Sequence, residues 1–94
     1  MNMPKYLKII DAEYLEKYRI KLRFDDGKEV VVDFYPFLSQ SYHPDIRKYL
    51  DTEMFKQFSI TYGDLEWNDY ELTFPIADLY LDQIVHKSQH ASAA

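Results

Sequence analysis

The sequence predicts an α+β domain in which an antiparallel sheet carries short helices on its apolar face. From Tyr18 to Phe24 and again from Val30 to Phe34, apolar residues recur at every second position, which is the period of a half-buried strand. Between Pro44 and Phe58 they recur at three- and four-residue spacing, which is the period of a helix. A second β-hairpin pattern and a second helical pattern follow. The fold class is therefore a three-stranded antiparallel meander, a helix, a second hairpin and a C-terminal helix packed on one sheet face.

The first hairpin bends at Asp25-Asp26-Gly27, between the runs YRIKLRF and KEVVVDF. A three-residue loop at 25–27 places Leu22 opposite Val30 and Ile20 opposite Val32, so that apolar residues share one face. A two-residue loop would place acidic residues opposite apolar ones, since a slip of one residue exchanges the two faces. Glycine suits the end of such a loop because it adopts positive φ at little cost. We therefore interpret this acidic stretch as a bend and not as a chemical site.

The same register predicts charge pairs on the outer face of the hairpin. Arg19 stands opposite Asp33 and Arg23 opposite Glu29, with Lys21 between the two arginines. Cross-strand pairs of opposite charge each stabilise a sheet by roughly 0.2 to 1 kcal/mol. We expect these pairs to neutralise most of the basic stripe.

The remaining elements are predicted from shorter patterns and from turn residues. A helix begins at Pro44 and breaks at Asp51-Thr52, either of which serves as an N-cap. The second hairpin turns at Gly63-Asp64, Asn68-Asp69 forms another turn, and Pro75 precedes the closing helix. The other predicted bounds are 6–13 for the first strand, 36–38 for a helical turn in a loop, 59–62 and 65–67 for the second hairpin, 71–74 for a last strand and 76–85 for the closing helix.

Length and composition predict one α+β domain over residues 1–86 and a disordered tail at 87–94. A chain of 94 residues is long enough for one core without covalent staples. The absence of cysteine excludes a disulfide framework, a thiolate metal site and a cysteine nucleophile. The N-terminus lacks the apolar core of a signal peptide, and no stretch is apolar enough for a membrane span. We expect a cytoplasmic protein with no membrane partner.

Charge predicts the kind of partner. The chain has 16 acidic and 11 basic residues and a net charge of −5, and its second half carries the acidic excess. Such a balance repels phosphate backbones, which predicts no direct nucleic-acid partner. It suits a basic protein partner instead.

Motifs for catalysis or cofactor binding are absent from the sequence. The serines lie in no nucleophile elbow, and two glycines are too few for a phosphate-binding loop or a dinucleotide fingerprint. The acidic clusters at 25–26 with Asp33 and at 64–71 lack the spacing of a calcium loop and are typical of solvated turns. We predict no enzyme activity, no catalytic residue and no cofactor.

Asp82, His86 and His90 have the spacing of metal ligands. Their i, i+4 and i+8 intervals would align them on one face of a continued helix, and zinc accepts these ligand types. The surrounding Ser/Ala tail has no core-facing residue to hold such a helix, and a site without a rigid support binds poorly. We predict no metal site. This face remains the basis of the alternative function, a small-ligand or metal-binding domain.

Aromatic residues are the remaining feature, with nine Tyr, six Phe and one Trp in the chain. Tyrosine and tryptophan combine a large apolar surface with a polar end and are enriched at protein interfaces. Four of them fall in or beside predicted loops and are our candidate partner-binding residues: Tyr42, Tyr62, Trp67 and Tyr70. The alternative, that they rim a small core in need of bulky side chains, has equal weight.

The order of several short motifs resembles the bacterial family known as domain of unknown function 2442. The matching motifs span about residues 10 to 82 and are Phe24-Asp25-Asp26-Gly27, Val32-Asp33-Phe34, Leu50-Asp51 with Phe55, and Leu79-Tyr80. The chain departs from the family pattern after Trp67, where Asn68-Asp69-Tyr70 stands in place of Pro-Asn-Gly.

The resemblance implies a small α+β domain without established catalytic residues. In some family members the domain is fused to a helix-turn-helix, and in many bacteria it is encoded beside another short protein, an arrangement similar to toxin–antitoxin pairs. Together with the aromatic residues, it predicts a non-enzymatic protein-interaction module, antitoxin-like or regulatory. The expected partner is another protein, a basic one encoded nearby, or a second copy of the chain in a homodimer.

Overall fold

The chain folds into two small antiparallel sheets and several short helices, which confirms the predicted α+β class. The computed structural model describes residues 7–85, so the predicted tail at 87–94 lies outside the described residues. The strands are β1 (Ile9–Glu16), β2 (Arg19–Phe24), β3 (Glu29–Asp33), β4 (Phe58–Thr61), β5 (Asp64–Trp67) and β6 (Leu72–Thr73). The helices are α1 (Tyr35–Gln40), α2 (Pro44–Arg47), a 3-10 turn (Lys48–Leu50), α3 (Thr52–Phe55) and α4 (Ile76–Tyr80). Within residues 7–85, no helix has the length and apolar character needed to cross a membrane.

The strands divide between two sheets, whereas the sequence predicts one. β1, β2 and β3 pair in that order, and β4, β5 and β6 pair likewise. Three short α-helices and the 3-10 turn separate β3 from β4, so the second meander starts a sheet of its own. The sheets meet where the backbone N–H of Ile9 donates to the carbonyl of Gly63 at 2.9 Å.

The predicted register of the β2–β3 hairpin is confirmed. Leu22 lies opposite Val30 and Ile20 opposite Val32, so the apolar residues share the inner face of the sheet. The loop at 25–27 contains three residues, and Gly27 has a φ of 95°. Binary pattern and turn chemistry together are therefore sufficient to fix the register of this hairpin.

The cations on the outer face pair with β1 instead of β3. Arg19 lies opposite Asp33 as predicted, but its guanidinium contacts the Glu16 carboxylate at 2.8 Å. The Lys21 ammonium lies 3.5 Å from the Glu13 carboxylate, again on β1. Arg19 and Lys21 are thus neutralised through a different strand, whereas Arg23, opposite Glu29, forms no ion pair within residues 7–85.

Several element boundaries differ from the prediction. β1 covers Ile9–Glu16 instead of 6–13. The segment predicted as a loop is helical from Tyr35 to Gln40, because Pro36 suits the first turn of a helix and Leu38 is buried in the core. The closing helix ends at Tyr80 and does not reach residue 85.

The predicted break in the central helical segment is confirmed. α2 runs into the 3-10 turn, which ends at Leu50, and α3 begins at Thr52. The Asp51 carboxylate accepts a hydrogen bond from the backbone N–H of Glu53 at 2.9 Å, and so caps α3. The loop residue Asp51 therefore has a structural role.

Trp67 lies at the centre of the core. Its side chain is fully buried, and its indole N–H donates to the carbonyl of Phe55 at 2.7 Å. The rings of Phe34, Phe55 and Phe74 lie 5.6, 5.6 and 6.1 Å from its ring, respectively. Phe34 follows β3, Phe55 ends α3 and Phe74 follows β6. The Trp67 side chain therefore contacts both sheets and a helix.

The second hairpin turns at Tyr62-Gly63, one residue earlier than predicted. Both residues have positive φ, 52° for Tyr62 and 84° for Gly63, as the central residues of a type I′ turn require. A Cβ atom on Gly63 would lie 2.9 Å from the Cβ and Cγ atoms of Lys8, which is too close without a shift of the chain. A glycine is therefore needed at position 63, both because φ is positive there and because a Cβ atom would clash with Lys8.

The two glycines provide a matched test of this packing. Gly27→Ala is expected to lower the free energy of unfolding by about 1 to 2 kcal/mol, because alanine is strained at positive φ while a Cβ at Gly27 meets nothing within 4 Å. Gly63→Ala should cost more, since it adds the clash with Lys8 to a similar strain. Urea denaturation of both variants measures the difference, and equal losses would contradict the close approach of Lys8 to the turn.

Candidate functional site

The described tyrosines among the candidate residues lie at the surface, at two places. Tyr62, in the turn between β4 and β5, is 93% exposed, and Tyr42, in the connection between α1 and α2, is 96% exposed. Tyr70 follows β5 and is 39% exposed. These side chains are therefore accessible to a partner.

Trp67 differs from the other candidate residues. It has no exposed surface and makes its hydrogen bond within the core. A direct contact between Trp67 and a partner is not possible in this fold, so the structure corrects its inclusion in the candidate surface. Its position beside predicted turn residues gave no indication of burial, since β5 is buried on both faces at this point.

Tyr62 and Tyr70 come together at one end of the second sheet. The Tyr70 hydroxyl lies 2.9 Å from the carbonyl of Thr61 and 3.1 Å from the carboxylate of Asp64, two acceptors that share its one proton. Desolvation, together with the hydrogen bond to Asp64, raises the pKa of Tyr70. Tyr70 is thus held beside the turn that carries Tyr62, and we call these two residues the tyrosine pair.

The turn before β6 has an unusual backbone. Asn68, Asp69 and Tyr70 all have positive φ, with values of 54°, 55° and 67°. This conformation costs an L-residue roughly 1 to 2 kcal/mol, and none of the three is a glycine. Strain of this kind persists only where surrounding contacts impose it. Strained residues of this kind are common at functional sites.

Glu66 supplies part of that restraint. One carboxylate oxygen accepts the backbone N–H of Tyr70 at 2.7 Å, and the other accepts the hydroxyl of Thr61 at 2.8 Å. Glu66 is buried, with 6% of its surface exposed. The acidic cluster at 64–71, predicted to be a solvated turn, therefore contains a buried structural carboxylate. In the sequence, the position of Glu66 between Leu65 and Trp67 in a predicted short strand was the feature that could have indicated its burial.

Glu71 forms a second polar centre. A single carboxylate oxygen lies 2.7 Å from the Lys48 ammonium and accepts hydrogen bonds from the Tyr49 hydroxyl at 2.6 Å and the Asn68 amide at 3.0 Å. Lys48, then Tyr49 and Asn68, lower the pKa of Glu71 to about 2. Desolvation and the contact with Glu71 raise the pKa of Tyr49 well above its usual range. These contacts join the strained turn to the 3-10 turn.

The acidic bend of the first hairpin also makes structural contacts. The Tyr80 hydroxyl donates to the Asp26 carboxylate at 2.6 Å, which lowers the pKa of Asp26 and raises that of Tyr80. The ammonium of Lys28 lies 4.1 Å from the centre of the Tyr80 ring. The bend is thereby fastened to the end of α4.

Tyr42 borders an open groove of about 590 Å³. The groove lies between the α1–α2 connection and the segment from β6 to Val85, and its walls are mainly apolar. Its lining includes Phe37, Tyr42, His43, Ile46, Phe74 and Ile84. It is separate from the polar contacts of Glu66 and Glu71.

The metal-ligand alignment that the sequence suggested depends on a continuation of the closing helix, which does not extend over residues 81–85. α4 ends at Tyr80, and Asp82 has a φ of 56°, outside helical geometry. His86 and His90 lie outside the described residues. Within residues 7–85, no three His, Asp or Glu side chains are placed to share a metal ion.

The pKa of Glu71 predicts an acid-sensitive contribution to stability. Because the folded pKa of about 2 lies below the ordinary value of 4.5, the contribution is fully present above pH 4.5 and is lost as the pH falls towards 2. Glu71→Gln should therefore flatten the decline of unfolding free energy between about pH 5 and 2. Chemical denaturation at a series of pH values measures this. Glu29→Gln, an exposed carboxylate on β3, is the control, and an equal flattening by both variants would contradict the network.

Comparison with known proteins gives a family and a structural neighbour. The family model described as "Protein of unknown function (DUF2442)" matches residues 9–87. A crystal structure of a Nitrosomonas europaea protein named "Putative DNA Binding Protein" is similar, with a TM-score of 0.64 and 27% sequence identity over 97% of this chain. The chain spans 56% of the length of that protein. None of the curated proteins searched matches the chain.

The structural neighbour contradicts the predicted absence of a nucleic-acid partner, since it carries the name of a DNA-binding protein. The prediction used the net charge of the whole chain, whereas binding to phosphates depends on local basic surface. β2 carries three basic residues on one face, Arg19, Lys21 and Arg23, of which Arg19 and Lys21 are paired with carboxylates of β1. The family comparison confirms the resemblance found in the sequence, and the chain belongs to the DUF2442 family of proteins of unknown function.

Proposed function

We propose that this domain is a non-enzymatic protein-interaction module whose tyrosine pair contacts the partner. The observation that carries the proposal is the position of Tyr62. The first central residue of a type I′ turn needs positive φ, and asparagine, aspartate or glycine is favoured there. A tyrosine with a φ of 52° and 93% exposure gains little from the fold to offset its strain. A role outside the fold accounts for this residue.

The surroundings of Tyr62 indicate the chemistry of the contact. Tyr70 and Asp64 hold each other at 3.1 Å beside the turn, and Asp69 is exposed in the next turn. A tyrosine ring flanked by carboxylates favours a partner surface that presents Lys or Arg, through cation–π contacts and charge complementarity. Tyr42 lies at a separate place on the surface. Only a large partner would contact both Tyr42 and the tyrosine pair.

The absence of enzyme activity is part of this proposal. The groups with displaced pKa values, such as Glu71 and Asp26, are each engaged in contacts that fasten one element to another. They do not line the groove beside Tyr42. A general acid or base would need a proton to exchange with a bound substrate. These contacts support a structural role for both carboxylates.

A second candidate is a role in DNA binding, favoured by the name of the Nitrosomonas europaea neighbour. In such a role the domain would form part of a DNA-binding assembly, either through the basic stripe on β2 or by recruiting a partner. Fluorescence anisotropy with duplex DNA at several salt concentrations separates the two routes, because phosphate contacts give a steep salt dependence. An antitoxin-like or regulatory role and a cytoplasmic location stay predictions.

Tyr62→Asn is expected to stabilise the domain by about 1 kcal/mol, since asparagine tolerates positive φ better than other L-residues. Urea denaturation measures the change. Tyr42→Asn is the matched control: Tyr42 is equally exposed, but its φ is not positive, so no gain is expected. A loss of stability in Tyr62→Asn would mean that the tyrosine serves the fold, and would remove the observation on which the proposal depends.

Site-specific photo-crosslinking tests the interaction itself. A benzophenone amino acid placed at position 62 in the full chain should yield an adduct with a defined protein in cells, identified by mass spectrometry. The same group at Leu81, which is 47% exposed on the C-terminal side of α4, is the control. Adducts of equal yield and composition at both positions would contradict a specific contact at the tyrosine pair.

A further inference from the structure

The third strand of the first sheet has an open edge. Among residues 7–85, β3 forms backbone pairs only with β2, because the sheet order is β1-β2-β3, and α4 packs near β3 without pairing with it. The N–H of Phe34 donates to the carbonyl of Tyr18 at 2.8 Å, and the N–H of Phe24 to the carbonyl of Lys28 at 2.9 Å. In an antiparallel pair such contacts recur at every second residue, so the even-numbered residues of β3 point their backbone groups towards β2. The odd-numbered residues point theirs outwards: Glu29, Val31 and Asp33.

These outward backbone groups are available for pairing. No hydrogen bond joins them to another backbone group in the described part of the chain. All three side chains are exposed, and Val31 has 46% of its surface accessible. A strand edge in this state is a template for an added strand.

The edge also carries two carboxylates, Glu29 and Asp33, which stand opposite Arg23 and Arg19 in the register but form no ion pair with them. Arg19 and Lys21 pair with Glu16 and Glu13 on β1, away from β3. Within residues 7–85, neither carboxylate of β3 has an ion pair within 4 Å, although Asp33 accepts the backbone N–H of Tyr35 at 3.0 Å. The charge on this edge is therefore open to a cation from outside.

The same charges oppose pairing between two copies of the chain. Two β3 strands paired antiparallel about Val31 would place Glu29 of each copy opposite Asp33 of the other. Like charges directly opposite one another destabilise a sheet. The edge of β3 thus disfavours pairing with a second copy of β3 and favours pairing with a basic strand.

We propose that the open edge of β3 binds an extended segment of a partner protein in which basic and apolar residues alternate. The segment would add a strand to the first sheet, with backbone hydrogen bonds to Glu29, Val31 and Asp33 and with its cations beside the two carboxylates. β2 has this alternation, as RIKLRF, on the opposite side of β3. This site is distinct from the tyrosine pair.

A peptide of repeating Lys-Val units is the probe. Titrated into the full chain, it should shift the amide NMR signals of residues 29, 31 and 33 more than those of β1. Val31→Pro keeps both carboxylates but removes an outward N–H, and proline is tolerated on edge strands. We expect Val31→Pro to weaken peptide binding at least about tenfold, which is about 1.4 kcal/mol.

Matched changes separate strand addition from simple charge attraction. Methylating the peptide nitrogens that would face β3 should weaken binding as Val31→Pro does, and this test does not depend on the folding of a variant. The double change Glu29→Gln with Asp33→Asn should weaken binding more than Asp11→Asn with Glu53→Gln, which removes two charges elsewhere. Tyr62→Asn should leave the peptide-induced shifts at residues 29, 31 and 33 unchanged, because Tyr62 lies at a distinct site. Full binding by the N-methylated peptide, or no shift at residues 29, 31 and 33, would overturn the proposal.

Discussion

The structure depends on the packing around Trp67. This side chain is buried among rings that follow β3, end α3 and follow β6, and its indole N–H is satisfied by the Phe55 carbonyl at 2.7 Å. Each sheet alone has three short strands, which is the smallest arrangement expected to be stable in water, and then only with a buried face. Trp67 provides that face to both sheets, so the two meanders form one core.

Because the core is central, the exposed features lie at the ends and edges of the sheets. The turn at Tyr62-Gly63 lies where the sheets meet, and the strained turn from Asn68 to Tyr70 is restrained by Glu66 and Glu71. The carboxylates of Glu66 and Glu71 thereby hold turns in place. The accessible features include a tyrosine at a strained position and an acidic strand edge, both of which suit contact with another macromolecule.

The sequence predicts the fold class and the β2–β3 register because period and turn residues act locally. It does not predict two sheets, since nothing local distinguishes a hairpin that extends a sheet from one that starts another. Trp67 was assigned to a surface because it stands next to turn residues, and its burial depends on three rings distant in sequence. Glu66 shows the same limit, because a buried carboxylate is recognised only when its hydrogen-bond donors are known. Net charge gave a wrong exclusion of nucleic acid, because the charge of a whole chain does not fix the charge of one strand.

The most direct test of this account is the fluorescence of Trp67, the one tryptophan in the chain. If Trp67 joins the two sheets, its emission in the folded protein is blue-shifted and iodide quenches it poorly, and both properties change together with the loss of far-UV circular dichroism in urea. Emission at the wavelength of the unfolded chain, with full access to iodide before unfolding, would contradict the shared core.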